Sequence, residues 1–284
     1  MLTDTYTADE MCGAPATTVG YRHPGYFHSA TITGLTPNTR YYYQVGDHTP
    51  HSESAVEFFY SAPKADADNV EFVIFGDLGQ VEVDGSFEPS EMEGSIQTTT
   101  ALPLDIEQGV VKLNASAAVF HIGDISYARG YESIWEQFFY QISSMSPHLP
   151  WQTIDGNHER DFPGSGSATG GTDSGGECGI AIARRFHMPN RQMDAPPMAT
   201  WWSLDFGPVH FTVISTELAF NQSSEQYAFV KKDWESVDRS KTPFLLLAGH
   251  RSVASCHSDV LCVASHTVNL LSSDTQSIPF SVWC

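Results

Sequence analysis

Four short apolar runs constrain this chain most: VEFVIF (70–75), AAVFHI (117–122), WQTI (151–154) and FLLLA (244–248). Each stops at a polar motif: Gly76-Asp77, Gly123-Asp124, Asp155-Gly156-Asn157-His158 and Gly249-His250. Continuous apolar runs of this length predict strands buried on both faces. Between them, Ile134, Trp135, Phe138 and Ile142 follow a helical spacing, as do Tyr227, Val230, Trp234 and Val237. Ser223, three residues before Gln226, predicts a capping box at the start of the second helix. Alternating strand and helix is the pattern of an α/β fold, whose sites lie at the carboxyl ends of strands. An isolated Asp after Gly is usually a turn residue. Four strands that each deliver a carboxylate, amide or imidazole at that end call for a shared purpose.

Outside this core the patterns change. Residues 28–62 read as short β-segments, HSATI, RYYYQV and AVEFFYSA, separated by turn signals at Thr36-Pro37-Asn38 and Gly46-Asp47. Residues 63–68 form a polar linker. WWSLDF and VHFTVI flank Gly207-Pro208 as a predicted hairpin. The Gly-rich segment 165–179 lacks the Lys and following helix signal of a phosphate-cradling P-loop and reads as an ordinary long loop. From 252 onward the chain is rich in Ser and Cys, lacks Lys, Arg and Glu, and has poor periodicity.

Composition narrows the function. The net charge of −20, from 34 acidic and 14 basic side chains with no basic cluster, argues against nucleic acid as a partner. No run approaches the roughly 20 apolar residues of a membrane span. Any phosphate ligand would have to be drawn by local cations. The five cysteines, Cys12, Cys178, Cys256, Cys262 and Cys284, show no CxxC spacing and leave the redox compartment open. The start lacks the basic and apolar stretches of a secretory signal. Asn114-Ala115-Ser116 and Asn221-Gln222-Ser223 fit the glycosylation triplet, a weak pointer to secretion.

Carboxylates, a phenol, an amide oxygen and imidazoles together suit harder metals such as ferric iron, zinc and manganese. In order and spacing, GDLG (76–79), GDISY (123–127), GNHE (156–159) and AGHR (248–251) resemble the GDxG, GDxxY, GNHE and xxxH blocks of the purple acid phosphatases. MCGAPATTVGYRHPGY, DSGGECG, WWSLDFG and SSEQYAFVKKDWESVDR are similar to segments of the large plant-type members, so the resemblance spans 5–251. TGLTPNTRYYYQVG resembles the late strands of a fibronectin type III-like module.

The resemblance implies an α/β metallophosphoesterase core, an αββα sandwich, at 69–251. A partial fibronectin type III-like β-sandwich would precede it at 1–65, and a divergent tail would follow at 252–284. It implies a dinuclear centre of Fe(III) plus a divalent metal (Zn, Mn or Fe), with Asp77 and Tyr127 on the ferric ion and Asp124 bridging. Asn157 and His250 would hold the divalent metal. The Tyr is diagnostic, because related calcineurin-like phosphoesterases carry a His there. His158 binds no metal in the family and faces the substrate, where it hydrogen-bonds phosphate or protonates the leaving oxygen; its bland alternative is a supporting hydrogen-bond role. His121 reads as a satisfied buried side chain, and Asp155 and Glu159 as residues that orient the GNHE turn.

The implied activity is that of an acid phosphatase, hydrolysing small phosphate monoesters by in-line attack of a metal-bound hydroxide. Nucleotide pyrophosphatase or phosphodiesterase activity of the same family is the alternative. The family's GHxH block, whose two imidazoles complete the metal spheres, has no counterpart, since no Gly follows Gly249 and His257 and His266 are isolated. A truncated product with partly uncovered apolar faces, or an inactive fragment, is therefore a further reading. A fibronectin-like adhesion module would leave the strand-end ligands unexplained. Secretion or a vacuolar location, and a homodimer, come from the resemblance alone.

Overall fold

The computed structural model describes residues 2–47, 49, 51–82, 92, 94–108, 117–189, 199–251, 267–272 and 281–282. His257 and His266 lie outside them. Two antiparallel pairs come first: β1 (Leu2–Asp4) with β2 (Phe27–Ser29), and β3 (Arg40–Tyr43) with β4 (Glu57–Tyr60). The rest alternates as the apolar runs predict: β5 (Glu71–Phe75), α1 (Gly94–Glu107), β6 (Ala117–Ile122), α2 (Glu132–Ile142), β7 (Trp151–Ile154), α3 (Asn157–Arg160) and α4 (Ile180–Arg185). Then come the hairpin β8 (Trp202–Phe206) and β9 (Val209–Val213), α5 (Glu225–Ser236), β10 (Phe244–Gly249), β11 (Thr267–Ser272) and β12 (Ser281–Val282).

These strands form two four-stranded sheets, ordered β12-β5-β6-β7 and β11-β10-β9-β8. The first is parallel throughout. The second joins a parallel β9-β10 pair to antiparallel neighbours on both sides. The tail supplies two of these strands, β12 pairing with β5 and β11 with β10, although its sequence shows no clear strand period.

The period of two along each strand explains why the runs are apolar throughout. Phe72, Ile74, Ala118, Phe120, Ile122 and Ile154 of the first sheet meet Trp202, Phe206, Val209, Phe211, Val213, Leu246 and Ala248 of the second. The alternate residues Val73, Phe75, Ala117 and Val119 face Trp135, Phe138 and Ile142 of α2 and Leu102 of α1. Full burial of each large side chain contributes about 1.5–3 kcal/mol. His121 lies fully buried on this second face beside Phe75, Phe138 and Trp151, consistent with a structural role.

The second sheet turns its polar residues the other way, toward α5. Asp233 of α5 accepts from the Ser203 hydroxyl (2.6 Å) and the Thr212 hydroxyl (2.6 Å) and pairs with His210 Nε2 (3.0 Å). The start of α5 differs from the predicted capping box. Ser224 is the cap, accepting from Tyr227 N at 3.1 Å, while the side chain of buried Gln226 bonds the backbone of Ser215. That glutamine satisfies the turn after β9 rather than its own helix.

The first residues build into the core instead of standing apart. Tyr6 is fully buried among the α2 and α4 side chains and donates to Glu132 Oε2 at 2.5 Å. Cys12 is disulfide-bonded to Cys178, and Cys12 N and Ala16 N donate to the carbonyls of Gly176 and Gly175. The β3-β4 ribbon docks through Tyr43, which donates to the Pro147 carbonyl, and through Phe58, which stacks on His148.

Candidate metal centre

The strand ends bring the expected residues to one place. Asp77 follows β5, Asp124 and Tyr127 follow β6, Asn157 and His158 open α3 after β7, and His250 follows β10. Oxygens of Asp77 and Asp124 and a ring nitrogen of His250 lie within 4.8 Å of one another. Tyr127 donates its hydroxyl to Asp77 Oδ1 at 2.8 Å. His250 Nε2 is 3.1 Å from Asn157 Oδ1 and 3.4 Å from Asp124 Oδ1. His158 Nε2 is 4.0 Å from Asp124 Oδ2, and its ring packs 4.3 Å from that of Tyr127.

The backbone is bent to achieve this. Asp77, Asp124 and Tyr127 have φ of 54°, 48° and 54°, a left-handed conformation that side-chain-bearing residues adopt at a cost and that clusters at functional sites. Two glycines allow close approach. A Cβ at Gly123 would lie 2.6 Å from the His250 ring, and one at Gly156 would lie 2.2 Å from Asp124 Oδ1.

The surroundings fix how each group presents itself. His250 Nδ1 is 3.1 Å from the Ile122 carbonyl, which selects the tautomer protonated there and leaves the Nε2 lone pair facing the two oxygens of Asn157 and Asp124. Asn157 donates through Nδ2 to Asp173 Oδ2 at 3.0 Å, which turns its Oδ1 the same way. Lone pairs of two oxygens and a nitrogen that converge without a proton between them are arranged for a cation, so the donor set fits a metal ion. Glu159, fully buried, accepts from the backbone N–H groups of Ile125 and Gly156 and ties the turns after β6 and β7 together. Asp155 takes Arg160 Nε at 2.7 Å and the Thr200 hydroxyl at 2.6 Å. Both act as orienting residues, as the sequence suggests.

Burial governs the proton affinities. It raises the Asp124 carboxyl above its ordinary range, with His250 and His158 opposing. It raises the Tyr127 phenol, helped by the charges of Asp124 and Asp77, and it lowers His158 toward the neutral imidazole, against the pull of Asp124.

Sequence reasoning missed the groups supplied by the Gly-rich segment. Asp173 holds Asn157, and buried Glu177 accepts from Gly130 N at 3.0 Å and Trp135 Nε1 at 3.1 Å. Burial pushes the Glu177 carboxyl up to about 8. Glycine density signals a permissive backbone but not which backbone it lies against.

Residues 3–60 match the purple acid phosphatase N-terminal domain. The chain is 41% identical over 252 residues to the Arabidopsis thaliana protein named probable inactive purple acid phosphatase 1, covering 87% of this chain and 39% of that one. A nucleotide pyrophosphatase/phosphodiesterase of Hordeum vulgare is 36% identical over 180 residues, covering 63% of this chain and 46% of the relative. Among solved structures, purple acid phosphatase PPD1 from yellow lupin (Lupinus luteus) seeds superposes with a TM-score of 0.79 at 40% identity, covering 88% of this chain and 43% of the other. The chain therefore spans less than half the length of these relatives.

Proposed function

Because the chain belongs to the purple acid phosphatase family, we propose that its strand-end cluster is a dinuclear metal centre for the hydrolysis of phosphate monoesters. The observation that carries this reading is the convergence of Asp77, Asp124 and His250 within 4.8 Å, with Tyr127 and Asn157 bonded to two of them. Asp77 and Tyr127 hold a ferric ion, Asp124 bridges, and Asn157 and His250 hold a divalent ion, Zn, Mn or Fe. Such a pair, when bound, neutralises the phosphate and activates a water for in-line attack. Burial and the neighbouring carboxylates hold the proton on the Tyr127 phenol, so a strongly Lewis-acidic cation such as ferric iron would be needed there to displace it. His158 places Nε2 toward Asp124, where a neutral imidazole would donate a hydrogen bond to a phosphate oxygen and protonation of the leaving oxygen would call for the imidazolium form.

The layers around the centre fit an αββα sandwich at 69–251, with a fibronectin type III-like unit at 1–65 and a divergent segment at 252–284. The Cys12–Cys178 disulfide and the exposed Asn221 triplet favour an oxidising, secretory route to the vacuole or cell exterior.

Two observations favour other readings. The barley relative's name favours a nucleotide pyrophosphatase or phosphodiesterase. The name of the Arabidopsis relative favours a chain that does not turn over. Metal analysis, the visible spectrum and turnover of an aryl phosphate beside a nucleotide diester separate the three. Two metals per chain, a tyrosinate-to-iron band and preference for the aryl phosphate uphold the proposal. Preference for the diester moves it to the second reading, and a colourless chain without bound metal moves it to the third.

A further inference from the structure

The turn that follows Tyr127 carries a cation which the ligand set leaves unused. Arg129 has φ of 51°, the same left-handed backbone as Asp77, Asp124 and Tyr127. Strain of this kind persists only where the surroundings enforce it. Here Gly130 N is gripped by Glu177, Tyr131 N closes the turn onto the Ala128 carbonyl at 2.9 Å, and the backbone at Gly175 lies so close that an added Cβ would meet the Arg129 carbonyl oxygen at 1.9 Å.

The result is a held backbone that carries a guanidinium beside Tyr127 of the candidate centre. Its carbon lies 6.0 Å from the centroid of the Tyr127 ring, which in turn packs on His158. Arg160, Arg184, Arg185 and Arg251 each meet a carboxylate. Among the described residues Arg129 forms no ion pair, and its buried Nε has no hydrogen-bond partner. A guanidinium offers a planar fork of five donors that matches the oxygens of a phosphate. In a chain this acidic, such a group can recognise an anion independently of metal.

We propose that Arg129 binds the phosphate oxygens of the ester substrate, on the Tyr127–His158 side of the centre. The proposal deepens the hydrolase reading and rests on it for the location of substrate. Glu177 is then a positioning residue, acting through the Gly130 backbone.

The test is calorimetric titration of the full chain, as isolated and after metal loading, with inorganic phosphate. Wild type is compared with Arg129→Ala, Arg129→Lys and the remote surface variant Arg22→Ala. A charge-assisted hydrogen-bonded pair is worth about 1.5–3 kcal/mol, so Arg129→Ala should weaken phosphate binding roughly 10- to 150-fold with metal content unchanged. Arg129→Lys keeps the charge without the fork and should recover only part of the affinity, which also guards against a folding defect in the alanine variant. Arg22→Ala should match wild type. Equal affinity in wild type and Arg129→Ala overturns the proposal, as does wild type without phosphate affinity or a loss fully explained by lost metal. Phosphate binding that depends on Arg129 in a chain that hydrolyses no ester would sink the hydrolase reading and leave this site standing. Turnover with KM and phosphate affinity indifferent to Arg129 would do the reverse.

Discussion

At the scale of single residues, Asp124 stands between the two imidazoles of the candidate centre. It sits 3.4 Å from His250 Nε2, and its Oδ1 accepts from His158 N at 3.0 Å. Asp124→Ala should abolish binding of both metals, read as metal equivalents per chain by elemental analysis, and retention of two would contradict the bridging role. Glu177 makes a prediction about pH. Its folded carboxyl is raised to about 8 by burial, above the ordinary value of 4.5, so the folded state binds the extra proton across that interval. Its contribution to stability is fully present below about pH 4.5 and is lost as pH rises toward 8. Thermal midpoints measured from pH 4.5 to 8 should fall less steeply for Glu177→Gln than for wild type. The residues that converge at the candidate centre were legible in the sequence because each lies in a motif of fixed spacing that ends an apolar run. Arg129 and Glu177 were not, since the role of each depends on a contact between segments far apart in the chain.

Elements explain why the legible parts were legible. β5 and β6 are buried on both faces and had to be apolar throughout, and the β8-β9 hairpin announced itself at Gly207-Pro208. The cap of α5 was misplaced by one residue because Gln226 serves a neighbouring turn, a tertiary demand that a local pattern does not carry. The junction of β7 with α3 is tight. Gly156 has an ordinary backbone conformation, φ −111°, so its need is purely steric. Gly156→Ala should cost about 1–3 kcal/mol in chemical denaturation and lower metal occupancy by displacing Asp124. On the far side of the second sheet, Asp233→Ala would strip Ser203, His210 and Thr212 of their acceptor. It should cost about 2–3 kcal/mol while leaving metal content intact, which separates the scaffold from the site.

Over the whole molecule, the disulfide and the stacking of the two sheets decide what the site experiences. Cys12–Cys178 closes a separation of 166 residues and fastens the first segment to the Gly-rich loop that supplies Asp173 and Glu177. Cys178→Ser should lower stability by about 2–5 kcal/mol in guanidinium titration, and a reducing agent should reproduce the effect in wild type alone. The stacking also sets an order in time. Asn157 and His250 touch in the finished fold but are 93 residues apart in the chain. During synthesis at 5–20 residues per second, His250 follows on the order of 5–20 s later. For that interval Asp77, Asp124, Tyr127 and Asn157 offer oxygens with the His158 imidazole beside them, and the His250 nitrogen that would tilt the set further toward transition metals arrives only with the second sheet. The imidazole nitrogen of the candidate centre therefore joins its oxygens only once β10 has paired with β9.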